Sequence, residues 1–107
     1  MTTNNNTSTI EELHNKTIKD AWSDFKGGYK KISNGKRAVD VVQTARTGSV
    51  RGDDGEIYRN CITVYLKSTT EIPQVIREIA EVYDLTHVKT KYKYESDEIE
   101  SVSYADF

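Results

Sequence analysis

Cysteine occurs once in the 107 residues, at Cys61, so neither an intramolecular disulfide nor a cysteine-based zinc cluster can form. Small secreted domains usually depend on such staples, and the expectation is therefore a reducing, cytoplasmic setting. No apolar run approaches the length of a membrane span, and "MTTNNNTST" has neither the basic region nor the apolar stretch of a secretory signal. No membrane partner is expected. Neither sign of charge dominates: 15 basic and 17 acidic residues give a net charge of −2, which disfavours both a uniformly basic nucleic-acid binder and a uniformly acidic mimic of one. Any electrostatic function must be local. Gly27, Gly28 and Gly35 lack the strand before and helix after that a phosphate-binding loop requires.

What remains is 36% hydrophobic and 30% charged, polar for a globular chain but too rich in Ile, Val, Tyr and Leu for wholesale disorder. One domain with a small core fits this length. Residues 1–7 are rich in Asn and Thr and read as a disordered tail, leaving 8–107 as the domain. Ser8 and Glu11 make a capping-box pattern. Ile10, Leu13, His14, Thr17, Ile18, Ala21, Trp22 and Phe25 then recur at helical spacing up to Lys26 and the Gly27-Gly28 stop. Two β-rich runs, 37–50 and 56–67, flank "RGDDG" and read as a hairpin, with Gly48 marking a bulge or bend. In the second run Ile62, Val64 and Leu66 alternate with Cys61, Thr63 and Tyr65.

Ser68 to Thr70 before Glu71 and Pro73 signal a second helix over about 70–84, with an apolar stripe of Ile72, Val75, Ile76, Ile79, Val82 and Tyr83. "THVKTKYKY", alternating Val88, Thr90, Tyr92 and Tyr94 with Lys89, Lys91 and Lys93, turns at "ESDE" into "IESVSYADF", a second hairpin. The expected fold is α+β, in α-β-β-α-β-β order, with two helices covering one face of a four-stranded antiparallel sheet.

No constellation reads as an active site. Cys61 would need a basic partner, and only His14 and His87 are offered, in separate elements. Asp53, Asp54 and Glu56 form a hard-oxygen cluster but match no calcium loop, and aspartates favour turns for their own reasons. No enzyme activity, cofactor or metal is expected. The RGD tripeptide at 51–53 reads as accidental.

Two surfaces remain. Lys26, Tyr29, Lys30, Lys31, Lys36 and Arg37 form a basic loop, and Lys89, Lys91, Tyr92, Lys93 and Tyr94 a basic and aromatic strand. Together they could hold phosphates and stack bases. Lysines on a strand equally serve to block edge-to-edge pairing, and "SNG" at 33–35 is ordinary turn chemistry. Five acids among the last thirteen residues mirror the basic loop and suit association with protein, in cis or between subunits of a homodimer. The leading expectation is a non-catalytic interaction module, an adaptor or inhibitor comparable as a class to small phage or mobile-element proteins. Nucleic-acid binding is the alternative, and a small enzyme or metal-binding domain the third reading.

Overall fold

The computed structural model describes residues 6–26 and 38–106, without the side chains of residues 6–15 and 39. Helix α1 (Asn6–Lys26) is followed by a short 3-10 turn (Ala38–Asp40), strands β1 (Val42–Arg51) and β2 (Ile57–Leu66), helix α2 (Gln74–Val82), and strands β3 (Thr86–Tyr92) and β4 (Ile99–Ala105). All three strand pairings are antiparallel, and the sheet order is β1-β2-β4-β3. The α+β plan expected from the sequence is the one observed.

Alternation along β2 decides which face is inner. Ile62, Val64 and Leu66 are buried and sit opposite Tyr104 and Val102 of β4 and Ala45 and Val42 of β1. Ala21 and Phe25 of α1 join the same cluster as Val75, Ile76, Ile79 and Ala80 of α2, so both helices seal one face. Trp22 closes its margin, donating its indole N–H to the Ala45 carbonyl at 2.9 Å. Trp22→Phe removes that bond while keeping most of the ring, and should cost about 1 kcal/mol, read as a lower urea midpoint at unchanged slope. An unchanged midpoint would mean that the bond contributes nothing.

Helix α2 begins four residues later than its Ser/Thr signal suggests. Thr69 closes a turn of its own, its hydroxyl donating to the Glu71 carbonyl at 2.7 Å and accepting the Glu71 N–H at 3.2 Å. Pro73 keeps Ile72 out of helical geometry and itself stands at the N-cap with ψ 143°. The helix ends in a Schellman arrangement: Leu85 N–H reaches the Ala80 carbonyl and Asp84 N–H that of Glu81, with Asp84 at φ 55° where glycine is usual. Val82, expected in the buried stripe, is instead 59% exposed. At about 100° per residue it falls roughly 90° from the centre of the face set by Val75, Ile76, Ile79 and Ala80, and the helix ends there.

Strand β1 starts at Val42 rather than 37, because Ala38–Asp40 form the 3-10 turn and Val41 N–H bonds back to the Ala38 carbonyl. The register shifts between Gly48 and Val50, and Gly48 has φ 147°, so the expected bend is a bulge. A second shift between His87 and Lys89 breaks the alternation expected along β3. Val88 thereby joins Cys61 and Ala105 in a small cluster on the helix-free face, covered by Val50 and Tyr58. The β1–β2 turn crosses to meet it: Asp53 N–H donates to the Val88 carbonyl at 2.8 Å, and the Asp53 carboxylate accepts Thr90 N–H at 3.2 Å. A side chain at Gly52 would lie 2.7 Å from the Tyr58 ring and 3.0 Å from the Val88 carbonyl. Glycine is required by this close approach. The turn thus occupies backbone groups of an edge strand that would otherwise invite pairing.

Candidate interaction surface

Of the basic and aromatic residues read from the sequence, those that are described lie at two separate places. Tyr29, Lys30, Lys31, Lys36 and Arg37 lie outside the described residues. Lys26 ends α1 with its ammonium 4.7 Å from the centroid of the Trp22 ring, a cation–π contact on the β1 side of the sheet. Lys89, Lys91, Tyr92, Lys93 and Tyr94 belong to β3 and its turn at the opposite edge.

At that edge the charges are largely balanced within the hairpin. Lys91 pairs with Glu100 at 3.1 Å and Lys93 with Glu98 at 3.2 Å, and the Lys93 contact holds the Glu98 carboxyl below its ordinary range. Lys89, half-buried, lies opposite Ser103 on the helix-free face. Of three strand lysines, two are already matched by carboxylates that return on the next strand. A pair this exposed stabilises little, but the nearby carboxylate reduces the attraction that either lysine offers a phosphate.

The turn between β3 and β4 is closely tied. Lys93 N–H donates to the Glu98 carbonyl at 2.9 Å, Ser96 N–H to the Lys93 carbonyl at 3.1 Å, and Glu98 N–H to the Ser96 hydroxyl at 2.9 Å. Glu95 takes φ 49°, an uncommon value for a non-glycine residue. The result is a firm platform presenting Tyr94 at 91% exposure, with Tyr92 at 54% beside it. Glu95 and Asp97 follow Tyr94 in the turn and are exposed.

The rest of the helix-free face is hydroxyl-rich and shallow. The Thr63 and Ser103 hydroxyls share a hydrogen bond at 2.9 Å, and the Arg46 guanidinium sits 5.7 Å from the centroid of the Tyr65 ring. Neither pair was singled out from the sequence, since each unites residues of different strands.

Groups that could carry catalysis are dispersed. Cys61 is buried on the helix-free face, where its thiol donates to the Tyr58 carbonyl at 3.3 Å and burial pushes its pKa up, away from nucleophilic activation. His87 is exposed near the other face, with Nε2 2.7 Å from the Thr90 hydroxyl and its ring edge-on to Tyr104. The side chain of His14 lies outside those described. Asp54 accepts the Glu56 N–H at 2.9 Å and the Tyr58 hydroxyl, and the Tyr58 bond, then the Glu56 bond, lower its pKa. With Asp53 bound to Thr90, the acidic cluster serves to build the turn. Among the described residues no three His, Cys, Asp or Glu side chains are grouped to hold a metal ion, and no helix is long and apolar enough to cross a membrane.

No family model matches the chain, and no curated protein or solved structure matches it either.

Proposed function

We propose that this chain is a non-catalytic protein-interaction module, an adaptor or inhibitor, that docks through the β3–β4 turn. Its partner is a protein with an apolar pocket rimmed by basic side chains. The observation that carries this is Tyr94, a large aromatic 91% exposed on a turn already held by its own hydrogen bonds. Ordering a binding loop ordinarily opposes association, and a pre-ordered turn avoids most of that cost. Tyrosine, with tryptophan and arginine, is among the residue types enriched as interface anchors. Glu95 and Asp97 beside it specify the charge of the partner's rim. A lone, buried, unbridged Cys61 supports a reducing compartment.

Nucleic-acid binding is the weaker reading, because Lys91 and Lys93 already face Glu100 and Glu98. Quantitative affinity capture from the native host, wild type against Tyr94→Ala, tests the choice. A partner held by wild type should bind the variant at least about 30-fold more weakly, an anchor's worth of affinity, at an unchanged melting temperature. Equal capture by both proteins would sink the proposal. So would saturable, salt-sensitive binding of a labelled oligonucleotide.

A further inference from the structure

A groove of about 350 Å³ runs between α2 and the β3–β4 end of the sheet. Ile72, Ala80 and Leu85 give it apolar walls, and His87 closes it at the β3 end. Its floor includes Tyr104, whose ring is 4% exposed, stacked at 6.1 Å on Phe25 and edge-on to His87 at 5.7 Å. No described residue hydrogen-bonds the Tyr104 hydroxyl, which is unusual for a tyrosine so deeply buried. Burial raises this phenol to about 12, with the Arg77 charge opposing that shift, and at neutral pH it is a proton donor; Arg77 lines the same groove as Tyr104.

The charges around the groove are also unspent on one another. Arg77 and Glu81 stand four residues apart on α2, a spacing that favours pairing, yet they make no ion pair and both line the groove. Asp84, just past the helix end, lines it too. At 1.5 Å rise per residue, Arg77 and Glu81 are about 6 Å apart along the helix axis, with Asp84 beyond the helix end. An apolar pocket with a few convergent polar groups is the usual form of a small-ligand site.

We propose that this groove binds a dipolar ligand: a carboxylate held by Arg77 and the Tyr104 hydroxyl, an alkyl body along Ile72, Ala80 and Leu85, and a cationic group facing Glu81 and Asp84. A simple carboxylate would leave the two acids repelling it, and a simple amine would leave Arg77 doing so. Only a ligand with both charges complements Arg77, Glu81 and Asp84 together. The site is separate from the Tyr94 turn, so each proposal stands or fails alone.

The test is an NMR titration of the isotopically labelled full chain at low ionic strength with 6-aminohexanoate, hexanoate and hexylamine. A probe of this size should bind with Kd on the order of 10 mM. Saturable shifts are expected at residues 72–87 and Tyr104, with 6-aminohexanoate at least about fivefold tighter than either singly charged probe. Tyr104→Phe and Arg77→Gln should each weaken it about tenfold, the effect of losing one bond to a charged group, while Tyr94→Ala leaves it unchanged. Tighter or equal binding of hexanoate or hexylamine would overturn the proposal. So would unaltered affinity in both groove variants, or no saturation at several times the expected Kd. Tyr104→Phe keeps the ring and should melt at or above the wild-type temperature; a lower melting point would reveal a protein partner for the hydroxyl and remove the premise.

Discussion

Phe25→Ala is expected to destabilise the protein by about 3–5 kcal/mol, the cost of removing a phenyl ring from a packed core and leaving part of its volume unfilled. Phe25 heads the fully buried side chains, at 0% exposure. It sits in the last turn of α1, where its ring stacks on Tyr104 of β4 within the cluster that also holds Ile76 and Ile79 of α2. One side chain therefore touches the junction of both helices with the sheet, and neighbours drawn from three elements cannot easily collapse into its space. A domain of this size is usually stable by about 5–15 kcal/mol, so the loss is a large share of the total. At about 4–8 °C per kcal/mol the melting temperature should fall by roughly 12–40 °C, measured by circular dichroism and checked against the urea midpoint. A drop of only a few degrees would mean that α1 is not integral to the core.

That junction was legible in the sequence because it rests on periodicity. Phe25 completes a three-and-four pattern, Val75, Ile76 and Ile79 another, and Ile62, Val64 and Leu66 a two-residue one, each a consequence of local backbone geometry. Where local geometry departs from the ideal, the pattern misleads. The bulge at Val88 moves that side chain to the helix-free face, and the short α2 leaves Val82 in water. Contacts between distant positions have no local signature at all: Asp53 meets Thr90 across 37 residues, and the α2 groove draws on a helix and two strands. The candidate surface shows the same division. Lysines counted along β3 suggested a phosphate-binding strip, but Glu98 and Glu100 are brought back by the hairpin to meet Lys93 and Lys91. Tyr94 was among the residues singled out, yet its weight comes from the hydrogen-bonded turn beneath it.

Cys61 should react with an aromatic disulfide reagent about 10²–10⁴-fold more slowly in the folded protein than in the urea-unfolded chain. The thiol is completely buried beneath Val50, Tyr58 and Val88, so modification requires those groups to part. Local opening of a packed, hydrogen-bonded segment costs several kcal/mol, which sets that range. Burial also raises the thiol's pKa and reduces the reactive thiolate further. The covering turn is anchored to β3 by Asp53, and Asp53→Ala should therefore speed labelling about 5–10-fold, the equivalent of about 1 kcal/mol for one exposed bond to a carboxylate. If labelling instead accelerates only in step with global unfolding, the turn is not a separately opening cover. The pH dependence separates the bonds within the turn from the nucleophile. Asp54, bound by Tyr58 and Glu56, has its pKa lowered, so its contribution to the turn is complete above the ordinary aspartate value near ~3.9 and is lost only as pH falls through the lower folded value. Between neutral and mildly alkaline pH the Asp54 contribution is constant, and a rise in labelling rate there reports thiolate formation during opening.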